Sequence, residues 1–311
     1  SMTHDIMRKF TTKLLLCCLL VCSLFVSQPE TAKADTINGI QPILPVQYQK
    51  LLGKGMDVDW SKTKKGQETF HKTIVKDFKN AGINHVRIRV KDSVSQDLFY
   101  HLDEQIRACL EAGIIPIIAY QANGFKNSAS DEDMDKVVEW WSAVAEHYKN
   151  ESYLLSFDMM IECTDALNKQ PDKLNELYEK VVTAIRQTNP TRILMMSPRV
   201  RSDAQYLSEL KVPTQANGYM MAEWHFYASG PSKENERKLW TTGTEKEKNL
   251  IRNKIQLALE WQKKTGIPTW VGAWMAGNYN DGDDYSVKEQ VIFAHFMVSE
   301  LKKAGIPFAV N

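Results

Sequence analysis

The feature that most restricts how this chain can fold is a repeated unit. A short β-rich run is followed by a longer stretch of helical periodicity, and that stretch often closes on a glycine. The β-rich runs are "GKGMDV" near 53, "NHVRIRV" at 84–90, "IIPIIAY" at 114–120, "LLSFDMMI" at 154–161, "RILMMS" at 192–197, "GYMMAEW" at 218–224, "PTWVGA" at 268–273 and "PFAVN" at 307–311. Between them lie six amphipathic stretches, among them "LFYHLDEQIRACLEAG" and "NLIRNKIQLALEWQKKTG"; four of these six end in Ala-Gly or Thr-Gly, the stop expected at a helix C-terminus. Strand, helix and glycine in repetition imply right-handed parallel βαβ units. Eight such runs predict a (β/α)8 TIM barrel rather than an open doubly wound sheet, and no glycine-rich dinucleotide fingerprint follows the first run. The sequence stops at Asn311, so the helix expected after strand eight is missing from the chain.

Residues 1–34 stand apart from this rhythm. Ser1 ahead of Met2 reads as an expression scar, and Arg8, Lys9 and Lys13 precede the apolar run "LLLCCLLVCSLFV" at 14–26. That run is too short to span a bilayer and suits a secretory signal, with Ala32 and Ala34 at the small-residue positions of a cleavage site. The expectation is a secreted, extracellular bacterial protein, without stable membrane insertion after cleavage, whose single domain covers 35–311. Three of the five cysteines lie in the leader, which leaves Cys109 and Cys163 and no disulfide scaffold. A net charge of +1 argues against a nucleic-acid partner. The seven histidines are scattered without metal-ligand spacing, so neither metal nor cofactor is expected. A closed barrel offers no sticky strand edge, and a monomer is expected.

In a barrel of this kind the chemistry sits at the C-terminal ends of the strands. Those ends present Arg87 and Arg89, Gln121 and Asn123, Asp158 and Glu162, then Glu223, His225 and Tyr227, and finally Ala273 and Trp274. Aromatic residues are expected beside them: Trp60, Tyr120, Phe125, Trp224, Trp240 and Tyr279. Flat rings next to carboxylates and amides suit the apolar face and polar edge of a sugar. Each residue also has a plain structural reading. Arg87 can serve as a buried partner for barrel carboxylates such as Asp158 or Glu223, Trp274 can cap the barrel, and Trp140, Trp141 and Trp261 fit helix packing.

Five segments carry a resemblance: "GINHVRIRV", "SFDMMIECTDAL", "AIRQTNPTRILMMS", "WHFY" and "WVGAW". Over nearly all of the part after the leader, the chain resembles glycoside hydrolase family five, the cellulase family. The resemblance implies that Arg87 lies low in the active site and that His225 and Tyr227 are site residues. It implies that Glu162 is the general acid/base, although Ile161 and Cys163 stand where the family has asparagine and proline. The family's nucleophilic glutamate falls on Ala273, and a methyl group cannot attack an anomeric carbon. Three explanations stay open: a deliberate nucleophile knockout, a natural glycan-binding pseudoenzyme, or a second carboxylate supplied by Glu223 or Asp158. The activity implied is that of a secreted endo-β-1,4-glucanase working by retaining double displacement on a cellulose-like glucan, inactive as written. A mannanase or another β-glycanase of the same clan is the alternative. Gln121, Asn123, Trp60 and Trp274 complete the expected substrate contacts.

Overall fold

The computed structural model describes residues 41–227, 240, 242–275 and 286–311. The leader expected at 1–34 and Tyr279 lie outside these. Eight strands form a closed parallel barrel in chain order: β1 Lys54–Val58, β2 His85–Val90, β3 Ile115–Tyr120, β4 Ser156–Asp158, β5 Leu194–Met196, β6 Met220–Tyr227, β7 Thr269–Met275 and β8 Phe308–Val310. The ring closes where Lys54 of β1 pairs with Phe308 of β8. The expected (β/α)8 architecture is the observed one.

The helices are α1 Pro45–Leu52, α2 Lys64–Thr69, α3 Lys72–Asn80, α4 Gln96–Ala112, α5 Asn123–Ser128, α6 Asp131–His147, α7 Pro171–Arg186, α8 Glu245–Thr265 and α9 Val287–Ala304. The local chemistry of α4 shows why such segments are helical. Ser95 caps its start by accepting the Leu98 N–H, Gly113 ends it at φ 75°, and Leu98, Leu102, Ile106 and Cys109 form one buried stripe. Between β5 and β6 the barrel has no long helix, only a tight turn at Arg199–Ser202 and a 3-10 segment at Ala204–Glu209. Among the described residues no helix follows β8. A groove of about 790 Å3, lined by Trp274, Val298 and Phe308 among others, lies along this side of the barrel.

Two apolar layers hold the fold. One fills the space between sheet and helices, with Trp140, Trp141, Phe157, Trp224 and Phe293 among its largest members. The other fills the barrel itself, where Ile115, Ile117, Ile193, Met195, Met221 and Trp270 pack with Tyr48 and Leu52 of α1. Helix α1 therefore closes the N-terminal end of the barrel, and the open end is the one the strands point toward. The strand bounds differ from the sequence reading most at β6 and β4. β6 runs three residues further, to Tyr227, and β4 keeps regular pairing only over Ser156–Asp158. Beyond Asp158 single hydrogen bonds continue, from Met159 N–H to Met195 O and from Ile161 N–H to Tyr120 O, while the backbone turns up into the mouth.

Candidate active site

The site begins with an irregularity in β7. Trp224 pairs with Val271, but the next residue of β6, His225, pairs with Ala273, so Gly272 is an extra residue. Regular alternation would place 270, 272 and 274 on the inner face. The bulge resets it: Trp270 packs inside the barrel, Gly272 abuts Glu223, Ala273 lines the mouth and Trp274 turns outward. Gly272 is required there, because a Cβ would lie 1.7 Å from Glu223 Oε2.

Within the mouth is a pocket of about 390 Å3. Seven of the expected residues line it: Arg87, Arg89, Gln121, Asn123, Glu162, Tyr227 and Ala273. Strands β4 and β7 thus bring Glu162 and position 273 to one pocket, as the spacing required. His225 lies just beneath, hydrogen-bonded to Glu162. Two expected stacking platforms are elsewhere. Trp274 is buried against Phe293 and Phe308, at ring separations of 5.9 and 6.0 Å, and Trp60 packs on Phe70 and Phe78. Phe125, Trp224 and Trp240 are also buried, and Tyr120 stacks on Trp140 at 3.9 Å. Among the described lining residues Tyr227 is the sole aromatic ring, and the wall is polar and charged. The sequence reading missed Asp57, Lys126, Arg201 and Asn311, all of which line the pocket. Asp57 was legible in principle, since it stands two residues after the inward Gly55 on β1.

Below the pocket lies a network of buried charges. Arg87 Nε reaches Asp158 Oδ2 at 3.0 Å and Glu223 Oε2 at 3.2 Å, and its Nη1 reaches Asp57 Oδ2 at 3.3 Å. His225 bridges two layers: Nε2 lies 3.0 Å from Glu223 Oε2 and Nδ1 3.0 Å from Glu162 Oε1. Tyr227 donates its hydroxyl to Glu162 Oε1 at 2.8 Å, and Arg201 Nη1 donates to Glu162 Oε2 at 3.0 Å. Glu223 and Asp158 are fully buried and outside the pocket lining, so neither presents a second carboxylate to it.

The charge states follow from these contacts. Burial and the neighbouring Glu223 push the Asp158 carboxyl well up, so Asp158 holds the proton of that pair. Burial opposes ionisation of Glu223, but Arg87 and His225 outweigh it and bring that carboxyl down. His225 is raised, because Glu223 and Glu162 overcome the burial that disfavours its imidazolium. For Glu162, burial is overcome by His225, the Tyr227 hydroxyl and Arg201, which hold the carboxyl well below its usual range. Glu162 is therefore a firmly ionised carboxylate. A glutamate at 273 would have supplied the like charge that raises a neighbour's pKa; alanine supplies none.

The backbone carrying these groups is strained. Ala122, between the two lining amides, sits at φ 51°, Glu162 at 47° and Arg201 at 49°, in a left-handed turn with Val200 at 55° and Ser202 at 62°. Non-glycine residues in this region cost about 1–3 kcal/mol each and persist where the surroundings over-determine them. The Arg201 N–H bonds to Cys163 O at 3.0 Å, which ties the turn to the residue after Glu162. Among the described residues no group of three or more His, Cys, Asp or Glu is arranged to hold a metal ion.

Comparison with known proteins fits this geometry. Residues 46–310 match the model of the cellulase family, glycosyl hydrolase family 5. The chain belongs to glycosyl hydrolase family 5. It is similar to endoglucanase H of Acetivibrio thermocellus, 22% identical over 215 residues, which are 66% of this chain and 23% of that protein. It is also similar to a beta-xylosidase of Phanerodontia chrysosporium, 21% identical over 221 residues, 63% of this chain and 45% of that protein. The chain thus spans less than half the length of these curated relatives. Among solved structures, Thermotoga maritima Cel5A in complex with cellobiose superposes with a TM-score of 0.75 at 21% identity, covering 86% of this chain and 91% of that one. The cellulose synthase subunit Z of Clostridioides difficile gives 0.72 at 19% identity, covering 83% and 91%. At these identities the structural likeness establishes the fold of this family 5 member.

Proposed function

We propose that this chain is the barrel of an exported endo-β-glucanase, directed to internal β-1,4 bonds, that grips its glycan without cutting it. The observation that carries the reading is that Glu162 and Ala273 line one pocket together with Arg87 and Tyr227, with His225 hydrogen-bonded to Glu162 beneath. Arg87 Nη2 and Asp57 Oδ1 at the floor are buried without hydrogen-bond partners, a donor and an acceptor of the kind a sugar hydroxyl satisfies. Export is supported by the basic and apolar leader, and a monomer by the closed ring of strands.

In the retaining reaction a carboxylate at 273 attacks the anomeric carbon while Glu162 gives its proton to the leaving glycosidic oxygen. Glu162 then takes a proton from water, which releases the sugar from the covalent intermediate. Ala273 removes the attack directly. It also removes the proton donor, because without a negative neighbour Glu162 stays ionised beside Arg201 and His225.

Ala273→Glu tests both statements. Release of reducing ends from carboxymethyl cellulose, mixed-linkage glucan or mannan should rise roughly 10²–10⁴-fold above the alanine chain, and Glu162 should titrate at higher pH. A folded Ala273→Glu protein that stays silent on all three polymers rejects the hydrolase reading.

A further inference from the structure

The charges around the pocket do not cancel. Arg87 is matched by Asp57 and the buried carboxylates beneath it, Arg89 by Asp59 at 2.8 Å, and Arg201 by Glu162 at 3.0 Å. Lys126 is different. It is 5% exposed and lies in α5, directly behind the strained Ala122. Its Nζ donates to Ile161 O at 2.6 Å and reaches Gln121 Oε1 at 3.5 Å, both neutral oxygens. Among the described residues no carboxylate lies within ion-pair distance of it. An ammonium has three donors and a full charge, and a buried one with only neutral partners is stabilised by an anion. The same pocket has an unpartnered guanidinium nitrogen, Arg87 Nη2, and a methyl group at 273 in place of a carboxylate.

We propose that the pocket binds a glycan carrying a negatively charged sugar, with the carboxylate of a uronosyl residue held by Lys126 beside Glu162 and Arg201. This rests on the β-glycan reading and narrows its ligand. The ionised Glu162 faces the same space, so a monoanionic carboxylate fits better than a dianionic phosphate ester. The wall agrees with such a ligand: amides, guanidinium groups and ammonium groups dominate it, and among the described residues the tryptophan faces expected for neutral sugars are packed into the core.

Calorimetry on the full chain separates the possibilities, using cellotetraose, the same β-1,4 tetramer oxidised to carboxylates at C6, an α-linked oligogalacturonate and inorganic phosphate. The expected result is at least tenfold tighter binding of the oxidised tetramer than of cellotetraose. That preference should fall to about one in Lys126→Met and persist in Lys126→Arg, each variant first shown to melt cooperatively. Equal or tighter binding of cellotetraose overturns the proposal and leaves the β-glucan reading standing. A preference unchanged in Lys126→Met also overturns it. Binding of oligogalacturonate alone keeps the anionic sugar and rejects the β-1,4 backbone, phosphate alone reduces the site to a simple anion hole and overturns the uronosyl assignment, and binding of neither tetramer nor oligogalacturonate rejects both readings.

Discussion

The two ends of the barrel each bury a histidine, and the two are built in opposite ways. At the closed end the ring of His85 is fully satisfied by neutral partners. Nδ1 lies 2.6 Å from Leu52 O and Trp270 Nε1 donates to Nε2 at 3.1 Å, which places the ring proton on Nδ1. Burial then drives its pKa down to about 4, and the imidazole is neutral. At the open end His225 stands between two carboxylates and is raised instead. The buried arginines repeat the contrast. Arg192 gives its donors to the carbonyls of Tyr148, Glu151, Ser152 and Leu155 and the amide oxygen of Asn189, while Arg87 faces three carboxylates and keeps one nitrogen unpartnered. Burial of a polar group is therefore no sign of a site by itself. What distinguishes the mouth is ionised partners together with unpaired buried atoms on residues that line a cavity.

The contrast is most severely tested at Arg87. Arg87→Met leaves Asp57 and Glu223 buried without their counter-charge and should cost about 3–5 kcal/mol at neutral pH. The loss should shrink in acid, as those carboxylates take up protons; denaturant unfolding at pH 7 and pH 5 reads both, and equal losses at the two pH values contradict an ionised network. The next effect belongs to His85. Its folded pKa, about 4, lies below the unfolded value of 6.5, so the stability it contributes is fully present above pH 6.5 and is lost as pH falls toward 4. That loss amounts to about 3 kcal/mol. For His225 the sign reverses: its contribution is complete below pH 6.5 and fades as pH rises through its raised folded value. Ring resonances followed by NMR should show His85 neutral and His225 protonated at pH 6, and the opposite assignment would undo the comparison. The smallest expected effect is on binding by Trp274→Phe. Its ring faces Phe293 and Phe308 on the helix side, so glycan affinity should change by less than about twofold. A tenfold loss would return Trp274 to the sugar.

The barrel was legible because its signals are periodic. Alternating runs and glycine stops recur along the chain, and an error at one boundary, such as the short β4, leaves the count unchanged. Glu162, Arg87, Tyr227 and Ala273 were placed in the mouth by their positions at strand ends. The aromatic assignment failed at Trp274 for one reason, the extra residue in β7, which no alternation pattern announces. Lys126 and Arg201 were out of reach for another reason. They stand on a short helix and a left-handed turn beyond the strand ends, and only the closure of β3 next to β4 and β4 next to β5 brings them to Glu162.

The bulge at Gly272 also works as an indexing device for inheritance. It fixes which codons of the seventh strand can carry chemistry: a longer side chain at 272 collides with Glu223, one at 274 lands among the helices, and one at 273 opens on the mouth. On the reading proposed above, the step from a barrel that holds its polymer to one that cleaves it is centred on that position, while the strained turns and buried charges around it stay as they are.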